Sequence, residues 1–330
     1  MGRHQYNIEI AGNCNLRCPS CPVGNSSAAA RPRGFMDVAM FEEIARKIVA
    51  ETKGVRTKVA LYDWGEPMLH PQLPEILGIL HKHGLQSRVS SNLNIDLRLE
   101  PTIKANPHEF HISLSGFYER NYSLTHRRGR IEKVTANMRH IRELIDRYGA
   151  RTRVVVGFHV YRHNIREDLP AMRDLAMELG FEIEPVVAQF FPIEKNVSYL
   201  ERLEGKSATL PQVKITRADE AVIDLLLVRP EETYERWRSL PGIKRWWLSR
   251  DCGRIARKTS VRIDGTLALC CVTYDADLKV DGHFLDTSHR QIQERRRAHP
   301  FCATCIAYGL HVDAPGSPIR KLAKEAKDLG

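Results

Sequence analysis

Six short runs rich in β-branched residues recur through the first 190 residues, each separated from the next by a stretch with apolar side chains at helical spacing. The strand candidates are 6–11, 58–62, 87–91, 109–114, 153–160 and 181–188. The helix candidates between them are 38–51, 73–83, 97–104, 131–147 and 169–179; in the first, Phe41, Ile44, Ala45 and Ile48 fall on one face. Asp37 is placed to cap that helix, and Gly84 and Gly180 fall just beyond the ends of two others. A strand followed repeatedly by a helix builds a parallel sheet, because the helix carries the chain back before the next strand begins. Six such units suit an open doubly wound sheet or an incomplete barrel, and both gather ligands at the carboxyl ends of their strands. Polar motifs directly after strands are therefore the candidates for chemistry.

Beyond Pro192 the rhythm breaks. Residues 194–216 read as irregular, 219–228 as a helix, and 230–247, rich in Arg and Trp, as a connection. From Cys252 a hairpin-like unit follows, 259–263 and 266–272 around Asp264-Gly265, then a Cys pair and a Lys-rich tail. The expected division is a barrel over 1–225, a smaller domain over 226–310 and a tail over 311–330. With 42% hydrophobic and 27% charged residues the chain can bury a large core. No apolar run approaches the roughly 18 to 20 residues of a membrane span, and the N-terminus lacks the apolar core of a signal peptide. The expectation is a soluble cytoplasmic protein with no membrane partner, where thiols persist free or metal-bound. The excess of 50 Lys and Arg over 40 Asp and Glu suits an acidic partner, an anionic substrate or nucleic acid. Its densest run, Arg290 with Arg295-Arg296-Arg297, has no interleaved aromatics, so an exposed helix face is expected there and nucleic acid is disfavoured.

The loop after the first strand reads Gly12-Asn13-Cys14-Asn15-Leu16-Arg17-Cys18-Pro19-Ser20-Cys21-Pro22, a C-x3-C-x2-C spacing. Structural zinc prefers four ligands in two pairs, and a disulfide framework would leave one thiol over. Three thiolates on a short loop suit a four-iron cluster with one iron left free for another ligand. In this loop the chain resembles the radical S-adenosylmethionine (SAM) superfamily, over roughly residues 5 to 190. The resemblance implies a partial (β/α)6 TIM-like barrel, a 4Fe-4S cluster on Cys14, Cys18 and Cys21, and SAM chelated at the open iron. An electron then splits the sulfonium to a 5'-deoxyadenosyl radical. It also implies an external electron donor of flavodoxin or ferredoxin type. Asp63-Trp64-Gly65-Glu66-Pro67 resembles the family's G-G-E-P motif with Trp for the first glycine, which places Gly65, Glu66 and Pro67 against SAM and gives Glu66 the amino group. Ser90-Ser91-Asn92 and Ile112-Ser113-Leu114-Ser115-Gly116 follow; the second resembles S-L-D-G with Ser for Asp. Ser91, Asn92 and Ser113 are thereby implied as contacts to the ribose or carboxylate of SAM.

A second cysteine set comprises Cys252, the pair Cys270-Cys271, and Cys302-Ala303-Thr304-Cys305. On residue type alone this suits zinc or another iron-sulfur cluster. The layout resembles Twitch, the shortened SPASM domain of some radical SAM enzymes, which implies an auxiliary 4Fe-4S cluster on Cys252, Cys270, Cys302 and Cys305, two clusters in all. Strand alternation would turn Cys271 away from Cys270, as a small core residue. His70, His81, His83 and His111 read as surface or turn residues. His159 and Tyr161 on the fifth strand candidate and Glu184 on the sixth can face a barrel interior, and are the candidate catalytic residues, with core packing as their alternative.

The expected activity is hydrogen abstraction from a small polar substrate such as a sugar, aminocyclitol or nucleoside, then oxidation with the auxiliary cluster taking the electron, as in the aminocyclitol dehydrogenases that the layout resembles. Redox-neutral epimerisation, decarboxylation and rearrangement need no acceptor and stay open. Peptide-modifying relatives usually carry a leader-binding domain before the barrel, whereas here the cysteine loop starts at residue 14, which favours a small molecule. From another class, a zinc or iron-sulfur nucleic-acid-binding protein is the alternative.

Overall fold

The computed structural model describes residues 4–25, 31–52, 57–95, 97–250 and 252–312. Its first six strands are β1 (Gln5–Ile8), β2 (Lys58–Ala60), β3 (Gln86–Ser91), β4 (Glu109–Leu114), β5 (Arg153–Val160) and β6 (Glu182–Val187). They pair in parallel, each beside its predecessor, and helices fill the intervals at 38–52, 73–82, 99–104, 131–148 and 168–178. On the helix side the strands present continuous apolar surface: Val154, Val156, Phe158 and Val160 of β5 are all buried there. Among the described residues no further strand pairs beyond β6, so β1 to β6 stay open rather than closing into a full barrel.

The opposite face is polar. The register sets Arg88 beside Glu109, Ser90 beside His111, Ser113 beside Gly157 and His159 beside Val186. At the amino ends of the strands Glu109 meets Lys58 at 3.1 Å, Arg88 at 2.5 Å and Arg153 at 2.9 Å. A nearly buried carboxylate is tolerable only when paired in this way. The network occupies that end of the inner face and leaves the carboxyl end for ligands. Above it His111 lies across β5, where a β-carbon on Gly157 would come 2.1 Å from the imidazole; the glycine is required by that ring. Burial lowers His111 to about 3, so the ring is neutral.

The second half departs from its expectation in several places. Residues Ile193–Leu203 form a helix where irregular chain was expected. Ile193, Val197 and Leu200 are its buried stripe, but Glu194 is buried with them, accepting the N–H groups of Tyr274 and Asp275 at 2.8 Å each. A charged residue on the inner face had disguised the period. The expected connection over 230–247 is two helices, Pro230–Ser239 and Gly242–Ser249. The hairpin is real, and its strands β7 (Lys258–Val261) and β8 (Thr266–Ala268) continue into β9 (Lys279–His283). Unexpectedly, β7 lies parallel to β1, with Asn7 beside Ser260, so a single nine-stranded sheet runs in the order β6-β5-β4-β3-β2-β1-β7-β8-β9. The sheet thus crosses from the expected first region into the second. The Lys-rich tail from 313 onward lies outside the described residues.

Three polar residues expected at the surface are inside. His70 is buried, its Nε2 donating to the Met36 carbonyl at 2.9 Å while Nδ1 accepts from Gln72 N–H at 3.1 Å. His111, half-buried, lies on the inner face as described. Arg296, in the run read as a solvated face, is 1% exposed, whereas Arg290, Arg295 and Arg297 are exposed as expected.

Candidate metal centres at the strand ends

Leaving β1, the chain makes tight crossings before it reaches the first thiol. Cys14, Cys18 and Cys21 are all half-buried on the loop that follows. A turn from the Cys21 N–H to the Cys18 carbonyl, 3.0 Å, brings the last two together. The N–H groups of Val23 and Gly24, opening the short helix Pro22–Asn25, point at the Cys21 sulfur. Cys14 receives Leu16 N–H at 3.4 Å and the Asn92 amide at 3.7 Å. N–H groups aimed at sulfur stabilise thiolate, the ligand form. Without a metal, burial pushes Cys14 up to about 12, with Glu66 adding to the effect, and raises Cys18 and Cys21 as well. Loading this loop must therefore expel protons.

Gly65 and Glu66 bind the second strand to that loop. A β-carbon on Gly65 would fall 1.8 Å from the Ala11 carbonyl oxygen, so no other residue fits while Glu66 N–H donates to the Asn13 carbonyl at 2.8 Å. The Glu66 carboxylate accepts from Met68 N–H at 3.1 Å and Asn92 N–H at 2.8 Å, and is 3% exposed. Burial pushes it up to about 7 in spite of those donors. Pro67 opens the 3-10 turn Pro67–Leu69 that Glu66 caps. Asn92 reaches back to Asn15 at 2.9 Å as well as to Cys14. Ser91 is buried, its hydroxyl taking Leu93 N–H at 3.0 Å and meeting Glu66. Ser113 is half-buried on the inner face beside Gly157.

The candidate catalytic residues separate. His159 sits on the inner face with Nδ1 3.2 Å from the Leu114 carbonyl; that nitrogen must carry the proton, which leaves the Nε2 lone pair. Burial lowers its pKa and keeps it neutral. Tyr161 lies just past β5, buried, facing Ser20 and Cys18, and burial raises it to about 12. It belongs to the wall of the cysteine loop. Glu184 is exposed on the edge strand β6, beside Gly157 of β5.

Cys252, Cys270, Cys302 and Cys305 line one cavity of about 400 Å³ including its open mouth, together with apolar side chains such as Ile193, Ile255, Leu269 and Phe301. Cys302 and Cys305 project from one face of the helix Pro300–Ala307, which His299 caps, and Cys252 precedes the helix Gly253–Arg257. Among the described residues no three His, Cys, Asp or Glu converge as they would on a single ion; the four thiols border a space. Arg296 donates to the carbonyls of Leu269 at 2.8 Å, Ile255 at 3.3 Å and Lys258, fixing the segments that carry Cys252 and Cys270. Its charge also draws down the Cys270 thiol, after the hydrogen bond from Cys271. Cys271 does not point away: β8 ends at Ala268, and Cys270 to Thr273 is a turn that sets the two thiols against each other. Burial pushes Cys302 up to about 12. Four thiols, buried guanidinium charge and an apolar cavity fit an anionic iron-sulfur cluster.

Between the two centres lies a cluster that no spacing announced. Arg31 is buried 3.4 Å from both Glu9 and Asp63, and its guanidinium lies 4.9 Å from the Tyr274 ring centre. Trp64 donates its indole N–H to the Thr273 carbonyl at 2.9 Å and its backbone N–H to Glu9 at 3.2 Å. Trp64, standing where the motif carries glycine, thus joins the segment after β2 that holds Glu66 to the turn that holds Cys270. That departure was the one visible signal.

These features define an open parallel α/β fold with thiol centres at the carboxyl ends of its strands. The radical SAM superfamily model matches residues 8–176, and the chain belongs to that superfamily. It is an enzyme of that class, for which SAM and a 4Fe-4S cluster are expected. Fe-coproporphyrin III synthase of Methanosarcina barkeri is 25% identical over 167 residues, covering 50% of this chain and 39% of the relative. GTP 3',8-cyclase of Chlorobaculum tepidum is 24% identical over 131 residues, 39% of this chain and 38% of the relative. The chain therefore matches about two fifths of the length of these curated relatives. Among solved structures, anSMEcpe with bound AdoMet superposes with a TM-score of 0.55 at 14% identity, covering 99% of this chain and 100% of that one. SuiB of Streptococcus suis, bound to its precursor peptide SuiA, gives 0.54 at 12%, covering 93% and 66%. Both likenesses concern the fold. No described helix is long and apolar enough to cross a membrane.

Proposed function

We infer that this chain is a two-cluster radical SAM oxidoreductase of the Twitch type, acting on a small polar substrate. The observation that carries this reading is the sorting of seven thiols into a set of three on the loop after β1 and a set of four around one cavity. When bound, the first centre and SAM supply a 5'-deoxyadenosyl radical, and the second supplies a one-electron acceptor. Cys14, Cys18 and Cys21 hold the first; Cys252, Cys270, Cys302 and Cys305 hold the second. Gly65, Glu66 and Asn92 shape the pocket for the amino acid end of SAM, with Pro67, Ser91 and Ser113 behind and beside them. The polar carboxyl end of the inner face, Ser90, Ser113 and His159, suits hydroxyl or amino groups of a sugar, aminocyclitol or nucleoside. In this reading His159, whose Nδ1 is held by the Leu114 carbonyl, takes on Nε2 the proton that oxidation of such a group releases. Tyr161 and Glu184 have weaker standing, one in the loop wall and one exposed. An acidic flavodoxin or ferredoxin is the electron donor in this reading.

Iron analysis of anaerobically purified protein tests it. About eight irons per chain are expected, falling to about four in Cys18→Ala and in Cys305→Ala. Reduction with dithionite in the presence of SAM should release 5'-deoxyadenosine, and Cys18→Ala should not. Stoichiometric zinc at the second set, or full cleavage by Cys18→Ala, would overturn the assignment.

A further inference from the structure

Residues 236–258 hold eight Lys or Arg and a single Asp, most of the basic excess of the whole chain. In the middle of this stretch the helix Gly242–Ser249 buries none of its residues. Ile243 is 69% exposed, Trp246 54% and Trp247 68%. Large apolar side chains grouped in this way mark contact surfaces, and Trp with Arg is the pairing that dominates interface energetics. Among the described residues Arg236, Arg238, Lys244, Arg245 and Arg250 meet no carboxylate, whereas Arg229, earlier in the chain, is paired with Asp224 and Glu231. Charges left unmatched by the fold are available to a partner.

The position of this face says what the partner is. Trp237 donates to the Ala307 carbonyl at 3.0 Å, two residues past Cys305. The Leu248 carbonyl takes the His311 imidazole N–H at 3.0 Å, and Cys252 follows the exposed helix closely in sequence. The basic and aromatic face is therefore the outer wall of the second thiol centre. We propose that it is the docking surface for a small acidic electron-carrier protein, bound over the second centre; this rests on the two-cluster reading above. Two short helices offer a small face, and electron-carrier encounters have the smallest interfaces among specific complexes, steered by charge. A nucleic acid fits less well. The Arg250 guanidinium already covers Trp246, 4.7 Å from the ring centre, and a covered ring is not a platform for a base.

The test uses the full cluster-loaded chain with two probes, an acidic flavodoxin and a plant-type ferredoxin, and compares binding by calorimetry at low and high salt. Wild type should bind at least one of them, with affinity falling as salt rises. Binding should weaken at least tenfold in Trp246→Ala/Trp247→Ala and in Lys244→Glu/Arg245→Glu. Both variants should keep wild-type iron content and dithionite-driven release of 5'-deoxyadenosine. No binding of either carrier by wild type, or unchanged binding by both variants, overturns the proposal. So does a surface that binds single-stranded DNA in preference to the carriers. If dithionite itself yields no 5'-deoxyadenosine in wild type, the failure lies in the underlying reading, whatever the binding shows.

Discussion

Replacing Gly65 with Ala puts a methyl group 1.8 Å from the Ala11 carbonyl oxygen and 2.8 Å from its carbon. Both obstacles are backbone, and neither can rotate away. Ordinary contact requires about 3.2 Å or more, so the segments leaving β1 and β2 must separate by well over an ångström. That movement strains the bond from Glu66 N–H to Asn13, 2.8 Å, and the bond from Trp64 N–H to Glu9, 3.2 Å. Each is worth about 1 kcal/mol, nearer 2 where a carboxylate accepts. Overpacking a tight site adds about 1 to 3 kcal/mol. The expected loss is about 4 to 6 kcal/mol, a large part of an ordinary domain's stability. Because Asn13 adjoins Cys14, iron at the first centre should fall with it. Urea denaturation under anaerobic conditions measures the first effect, and iron content with visible absorbance measures the second. Gly78→Ala is the control: it lies in the helix Leu73–Lys82 with nothing within 4 Å of the added carbon. It should stabilise by about 0.5 to 1 kcal/mol. A Gly65→Ala protein within 1 kcal/mol of wild type and fully loaded with iron would refute the reasoning.

Three further outcomes follow from the same geometry. Gly157→Ala drives a methyl into the His111 ring and should cost about 1 to 3 kcal/mol; His111→Ala in the same chain should recover much of it, a coupling that a double-mutant cycle in urea reads directly. Arg296→Met leaves three carbonyls, two of them fully buried, without this donor and should cost about 3 kcal/mol, with iron lost from the second centre before the first on heating. Burial raises Glu194 from 4.5 to about 7, so the folded chain holds that proton more tightly than the unfolded one. Its contribution to stability is full below about 4.5 and is lost as pH climbs to about 7, up to about 3 kcal/mol. Glu194→Gln should flatten that part of the stability profile between pH 4.5 and 7.5, and an unchanged slope would remove Glu194 as its source.

The first half of the chain was legible because its signals are local. Apolar spacing in 38–51 located a helix that ends one residue later, and 109–114 and 153–160 matched their strands to the residue. The loop of Cys14, Cys18 and Cys21 was readable for the same reason, since three ligands within eight residues need no knowledge of the fold. What was hidden depends on partners distant in sequence. Glu194 and Arg296 look solvated by type, and only the N–H groups of Tyr274 and Asp275 and the carbonyls of Ile255, Lys258 and Leu269 make their burial tolerable. Cys271 was misjudged because strand alternation was carried to it, three residues past the end of β8. The attachment of β7 to β1 has no local signature either, yet it matters most: it sets Trp64 against Thr273 and lodges Arg31 between Glu9 and Asp63. A substitution at any of these bridging positions therefore acts on both thiol centres together, whereas one at Cys18 or Cys305 acts on a single centre. Residues that couple two sites in this way are invisible to motif reading and become evident only when the sheet is assembled.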